Sequence, residues 1–218
     1  MPISILPAVE ADIPAISRLQ VAAFASHPRM PMQWPRGYTA DFYAYKEMGD
    51  REDFQDSANH YWKAIDSETG EMVACADWSF HLESDVEAGE KLTVESGPPE
   101  SWPEGGNWEL KRFYRLNTRR MIGDYIGKQP HIMLNVLTVL PEHQGRGAGR
   151  QLIQWGVKEA DKLHVCMCLE STPAGLALYK SMGFVVREVV AANMHDFGWK
   201  EPYDEEAAHR IFMVREAR

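Results

Sequence analysis

The sequence offers no apolar run approaching the roughly 18 residues that a membrane-spanning helix needs, so no transmembrane helix is expected. Positive charge is also in short supply: 23 Lys and Arg face 32 Asp and Glu, for a formal net charge of -9. Such a surface repels phosphate backbones and anionic headgroups, which argues against a general nucleic-acid or membrane binder. Cysteine is scarce. Cys75, Cys166 and Cys168 lie in apolar runs without metal-ligand spacing, and an odd number in strand-like segments predicts free thiols, a reducing compartment and no metal site. The opening MPISILPAVEADIP lacks a basic region before its apolar residues and carries early acids, so neither a signal nor a transit peptide is expected and cytoplasm is the expected location. No internal repeat or low-complexity tract interrupts the chain. What remains, 218 residues that are 44% hydrophobic and 25% charged, fits one soluble domain with a core of useful size.

The most informative stretch runs from His131 to Arg150, HIMLNVLTVL followed by PEHQGRGAGR. Its first half is apolar, partly β-branched and almost uncharged, and reads as a buried strand. Pro141 has no N–H to donate and ends the pairing. Gly145, Gly147 and Gly149 then crowd together. Leu152, Ile153, Trp155 and Val157 recur at helical spacing, which sets a helix start near Gly147. A strand, a glycine loop and a helix N-terminus together make an anion site: bare backbone can approach the ligand, and unpaired N–H groups and the helix dipole face it. Arg146 and Arg150 add charge, so a phosphate-bearing ligand is expected.

A mononucleotide P-loop is excluded, because no Gly-Lys-Ser/Thr follows. A dinucleotide fingerprint fits poorly. Counting from Gly145 puts Arg150 where the last glycine belongs, and Pro141 to Gln144 separate the strand from the first glycine, although Glu170 falls about 20 residues on, where a ribose-binding acid would sit. A glycine-rich turn without ligand is the plainer alternative. The pattern that matches is Gln/Arg-x-x-Gly-x-Gly/Ala, read as Gln144-Gly145-Arg146-Gly147-Ala148-Gly149. It resembles the pyrophosphate-binding loop of the GNAT superfamily of acyl-coenzyme-A-dependent N-acyltransferases. A second, independent resemblance lies downstream, where Val165 to Leu169 reads as a short strand and Leu178-Tyr179 precedes Gly183-Phe184 in the manner of the superfamily's Leu-Tyr-x-x-x-Gly-Phe. Pro173 suits a first helical turn, and Gly183 suits a left-handed helix end.

The two signatures span about residues 131–191. They imply an α/β (α+β) fold with a mixed, mostly antiparallel central sheet flanked by helices, as a single N-acetyltransferase domain over 1–218 with an insertion at about 81–130. They also imply transfer of an acetyl group from acetyl-coenzyme A to a primary amine of a small molecule or peptide by direct attack, without a metal, by a monomer or homodimer. By resemblance, the coenzyme contacts Leu137, Thr138, Val139, Gln144, Gly145, Arg146, Gly147, Ala148, Gly149, Arg150 and Thr172, with pantetheine along Leu137 to Val139 where the sheet splays. Tyr179 matches the tyrosine that protonates the departing thiolate; the plainer alternative is a packed aromatic. An ammonium near pKa 10.4 must lose a proton before it attacks. The position that carries a Glu in many relatives falls near Met133, which cannot serve, leaving His131, Asn135, Asp77, Glu170 and His81 as candidate bases. A non-catalytic acyl-coenzyme-A sensor and a dinucleotide-dependent oxidoreductase are the competing classes.

Elsewhere the reading is coarser. Ile3 to Leu6 predicts a strand, and Ile13, Ile16, Leu19 and Phe24 an amphipathic helix with Asp12 and Pro14 near its start. Ser26 to Tyr38 holds three prolines and predicts irregular structure that lines an acceptor pocket or roofs the core through Met30, Met32 and Trp34. Asp41 to Gly49 predicts a helix, and His60 to Asp66 and Glu71 to Phe80 a hairpin turning at Gly70. Asp77, an acid in that apolar strand, is either a buried base or an edge-facing or hydrogen-bonded residue. Residues 81–130 exceed any ordinary connection and predict a lid or specificity element, or else a self-neutralising surface excursion or dimer contact. Its first part, to Leu110, holds eight acids (Glu83, Asp85, Glu87, Glu90, Glu95, Glu100, Glu104, Glu109) against Lys91. Its second, Asn107 to Ile126, reads as a helix with a basic face (Arg112, Arg115, Arg119, Arg120). Asn193 to Glu206 reads as irregular, and His209 to Val214 as a last strand.

Overall fold

The structure, a computed structural model, describes residues 2–82 and 97–218. Glu83, Asp85, Glu87, Glu90, Lys91 and Glu95, the acidic part of the expected lid, lie outside the described residues. The strands are β1 (Ile3–Pro7), β2 (Asn59–Asp66), β3 (Met72–His81), β4 (His131–Val139), β5 (Cys166–Ser171), β6 (Val185–Val190) and β7 (Arg210–Arg215). They form one seven-stranded sheet in the order β1-β2-β3-β4-β5-β7-β6. Every neighbouring pair is antiparallel except β4 and β5. This is the mixed, mostly antiparallel sheet that the two signatures imply.

The helices are α1 (Ile13–Phe24), α2 (Arg29–Gln33), α3 (Ala40–Gln55), α4 (Trp108–Tyr125), α5 (Ala148–Leu163) and α6 (Leu176–Ser181). Strand alternation sorts the core between the two faces of the sheet. On one face, Leu152, Ile153 and Ala160 of α5 meet Trp78, Ile132, Leu134, Met167, Leu169 and Met213. On the other, α1 sets Ile13, Ile16 and Leu19 against Tyr61 and Cys75, while α4 sets Leu110, Tyr114 and Met121 against Cys166, Cys168, Phe212 and Val214. Each such large apolar side chain contributes about 1.5–3 kcal/mol on burial. All three cysteines are buried and free. Among the described residues, no helix is long and apolar enough to cross a membrane.

Three expectations change. Ser26 to Tyr38 is not wholly irregular, because α2 places Pro31 in a first turn whose N–H groups need no helical partner. Helix α3 runs past Gly49 to Gln55. One mid-helix glycine costs about 1 kcal/mol, and here Lys46 pairs with Asp50 at 2.9 Å while the Ser17 hydroxyl donates to the same carboxylate. The helical half of the insertion is no lid: Leu110 and Met121 are fully buried, so α4 is core. Asn107 pins it. Its side-chain oxygen accepts from the Leu110 N–H at 3.1 Å, and its side-chain amide donates to the Phe197 carbonyl at 2.9 Å. Its own N–H donates to the Gln33 carbonyl at 2.9 Å, and its carbonyl accepts from the Gln33 side chain at 2.6 Å. One residue thus joins α2, α4 and the turn before β7.

The tightest packing lies where α5 crosses the sheet. A Cβ on Gly156 would sit 2.5 Å from the ring of Trp78, which is fully buried. Alanine gains about 1 kcal/mol of helix propensity over glycine, but overpacking a closed core costs about 1–3 kcal/mol. Gly156→Ala is therefore expected to lower the melting temperature; a rise in a thermal scan would mean that Trp78 has room to move.

Candidate active site

Strands β4 and β5 pair only from His131 opposite Cys166 to Leu134 opposite Leu169. Beyond that point they part. On the far side of β4, Asp77 faces Val136 and the next β3 residue, Trp78, faces Leu134, so Asn135 is an extra residue in a β-bulge. The bulge resets the alternation, and Leu134 and Leu137 both pack on the α5 face. It also settles the backbone. The Leu140 N–H donates to the Val73 carbonyl at 3.0 Å. Counting back along the ladder, Thr138 points its N–H and C=O at β3, and Leu137 and Val139 point theirs into the gap that β5 has left. The Val139 carbonyl there accepts from the Gln144 side-chain amide at 3.3 Å.

Helix α5 starts beside this gap. Its cap, Gly147, has φ 88°, a left-handed conformation that side chains resist. This turn presents the first N–H groups of α5 to solvent without helical partners. The two loop arginines part company. Arg146 swings back to the buried Asp66 carboxylate at 2.6 Å and holds that carboxyl below its usual range. Arg150 reaches Ser181 on α6 at 3.3 Å and stays at the mouth.

The gap opens into a cavity of about 970 Å³. Leu137, Thr138, Val139, Gln144, Gly145, Gly147, Ala148, Gly149, Arg150, Thr172 and Tyr179 all line it, and Arg146 is the one nominated residue that does not. Tyr179 is buried on α6 with its ring edge-on to Phe184, the centroids 6.0 Å apart. Burial pushes its hydroxyl above the usual phenol range, so it keeps its proton.

The cavity continues through the sheet to the α4 face. Glu170 and Arg210 lie there at the ends of β5 and β7 as an ion pair, facing Lys111 and Tyr114 from α4 and Arg29 from α2. The Arg29 and Arg210 guanidinium carbons stand 4.7 and 5.0 Å from the centre of the Tyr114 ring. Burial, then Arg115, Arg210 and Arg29, pull the Lys111 ammonium down to about 7. Burial and the two arginines likewise pull His27 to about 4, leaving it neutral. Of the five candidate bases, Asn135 and Glu170 line the cavity. His81 and His131 instead stack on each other at 4.6 Å, where β4 begins. Asp77 is buried beneath the bulge rather than at an edge, and it is hydrogen-bonded to Asn135.

Against this geometry, residues 112–186 match the family model described as Acetyltransferase (GNAT) domain. Over that third of the chain the sequence is similar to a GNAT acetyltransferase domain. A probable acyltransferase SID5 of Ajellomyces capsulatus is 51% identical over 39 residues, 18% of this chain and 29% of that protein. The match thus spans less than a third of that relative. The arylalkylamine N-acetyltransferase 2 of Aedes aegypti superposes with TM-score 0.70 at 14% identity, covering 99% of each chain. A histone acetyltransferase HPA2 and related acetyltransferase from Corynebacterium glutamicum superposes with TM-score 0.63 at 23% identity, covering 100% of this chain and 98% of that one. These two likenesses show the GNAT fold.

Sequence reasoning missed the α4 end of the cavity. The spacing of Leu110, Tyr114 and Met121 would have set the buried face of α4, and Lys111 one turn before Tyr114 would then have stood out from the arginines on the outer face. Arg29 had no signal beyond its place in the expected pocket segment.

Asp77 has a measurable consequence. Burial raises its carboxyl to about 7 against the opposing pull of Asn135 and Lys46. An unfolded chain releases that proton near pH 4 and the folded one near 7, so across this window the folded state binds more protons and stability falls as pH rises. Asp77→Asn is expected to raise the melting temperature at pH 8 and to change it little at pH 4. An equal loss at both pH values would mean that the carboxylate is favourably paired.

Proposed function

We propose that this GNAT domain transfers an acetyl group from acetyl-coenzyme A to a primary amine of a small molecule or peptide by direct attack. The observation that carries this is one continuous cavity joining three features: the glycine loop at the α5 N-terminus, the unpaired edge of β4, and Tyr179. The residues suit the coenzyme. First-turn N–H groups of α5 and the Arg150 guanidinium meet its phosphates, and Gly149, whose Cβ would come 3.3 Å from Val139, keeps the helix close to the strand. The N–H and C=O of Leu137 and the N–H of Val139 point into the gap and offer a missing strand's partners to an extended chain bearing amides, while the Val139 carbonyl is held by Gln144. When bound, the coenzyme supplies an activated thioester.

The remaining work belongs to side chains. Glu170 is the acid that lines the cavity among the described residues. Its Oε2 pairs with Arg210, and its buried Oε1 has no partner. Oε1 therefore receives the ammonium proton of the incoming amine. Tyr179 holds its proton until the sulfur departs; a desolvated thiolate is a strong enough base to take it, because burial raises thiol and phenol alike. A backbone N–H from the open edge of β4 donates to the carbonyl oxygen as charge builds there.

Gly147→Asp places a side chain and a negative charge where backbone must meet phosphate, and should weaken acetyl-coenzyme A binding by at least tenfold in isothermal titration; unchanged affinity in a folded variant refutes the loop assignment. Tyr179→Phe removes only the hydroxyl. Its turnover number should fall by about 10²–10⁴ while the coenzyme dissociation constant stays near wild type, and wild-type turnover with chemistry rate-limiting would make the tyrosine a core residue only.

A further inference from the structure

We infer that the acceptor is an amine that also carries a carboxylate, bound by Arg29, Lys111 and Arg210 at the α4 end of the cavity. This rests on the acetyl-transfer reading and names its substrate class.

The charges at that end do not balance. Three cations line it, and the one carboxylate facing them among the described residues, Glu170, is already paired with Arg210. Arg29 and Lys111 make no ion pair with any described residue. The Arg29 Nη1 is buried with no hydrogen-bond partner of good geometry among the described residues, and the guanidinium's neighbour is the neutral Tyr114, not an anion. This happens in a chain whose formal net charge is -9, so cations are not simply in surplus. A buried guanidinium without an anion is strongly disfavoured, and the arrangement becomes favourable when a ligand brings the missing charge. Burial first, and the neighbouring arginines after it, depress the Lys111 ammonium, and an anion beside it would favour its protonated form.

The coenzyme does not supply that anion. Its phosphates belong at the α5 N-terminus with Arg150, on the opposite face of the sheet; what crosses the gap is the neutral pantetheine. The acceptor must do so. Both guanidinium groups are held against the Tyr114 ring, which fixes their planes for the two-pronged contact that a carboxylate accepts. Glu170 lines the same end, and its charge opposes a dianion more than a monoanion. That favours carboxylate over phosphate.

The test compares acceptors that share an amine and differ in the acid: ornithine against putrescine, lysine against cadaverine, and β-alanine against aminoethyl phosphate, with thiol release as the readout. Carboxylate-bearing acceptors should have a kcat/KM about ten- to a hundredfold above their decarboxylated partners, the range of a charge-assisted hydrogen bond. In Arg29→Gln that ratio should collapse towards one through KM, while the acetyl-coenzyme A dissociation constant is unchanged. Lys111→Met is the second variant if Arg29→Gln does not fold. Titration of glutarate into the acetyl-coenzyme A complex reads the site without turnover: saturable binding, lost in the variant, supports the carboxylate site even if no amine is acetylated, in which case the transfer reading alone fails. Equal use of paired acceptors with no glutarate binding overturns the inference. A preference for aminoethyl phosphate overturns the choice of carboxylate.

Discussion

Parallel pairing between β4 and β5 lasts from His131 to Leu134, and the extra residue Asn135 then turns the rest of β4 away from its neighbour. A strand edge inside a sheet exposes N–H and C=O groups that must find partners or be costly to bury. Here they face a cavity instead of protein. The position of the gap sets where α5 begins, since the loop from Val139 to Gly147 bridges the end of β4 to the helix that covers it. It also decides that the cavity crosses the sheet. An extended ligand can enter beside α5, complete the ladder along Leu137 and Val139, and emerge against α4. One bulge thus connects the N-terminus of α5 to a separate pocket on the opposite face.

Electrostatics divides the same cavity into two ends. Arg146 and Arg150 are four residues apart in the sequence, yet Arg146 is consumed by Asp66 and ties the loop to the end of β2, while Arg150 remains at the mouth. The α4 end has the opposite balance of charge, with Arg29 and Lys111 both lining it and neither making an ion pair with a described residue. Arg210 and Glu170 balance each other across β7 and β5, and their pairing leaves one carboxylate oxygen without a hydrogen-bond partner among the described residues.

Helix α4 serves the core and the site from adjacent positions. Leu110 and Met121 seal the sheet face, and Lys111 and Tyr114 look into the cavity. Their placement depends on Asn107, which caps the helix and grips Gln33 and Phe197 together. The pocket wall from α2 is therefore held in register with the pocket wall from α4 by one backbone hydrogen bond and one from the Gln33 side chain. A segment that looks like an insertion in the linear order is a structural member of the domain.

Local physics was enough for much of this molecule. The run HIMLNVLTVL, the proline that stops it, the glycines with a helical repeat behind them, and Leu178-Tyr179 before Gly183-Phe184 each dictate a conformation within a few residues. Periodicity therefore yielded β4, α5 and the turn into β6, and these hold most of the loop end of the site. Only tertiary structure decided the other end. Arg29, Lys111, Glu170 and Arg210 come from four elements scattered over the chain, and no spacing in sequence relates them. Which of two nearby arginines faces the cavity depended on Asp66, a residue 80 positions before Arg146. Whether Asp77 could act as a base depended on a bulge in the neighbouring strand. Secondary structure arises from short-range repeats, and a sequence displays those directly. Burial and charge pairing arise from contacts across the sheet, which exist only once the chain has folded.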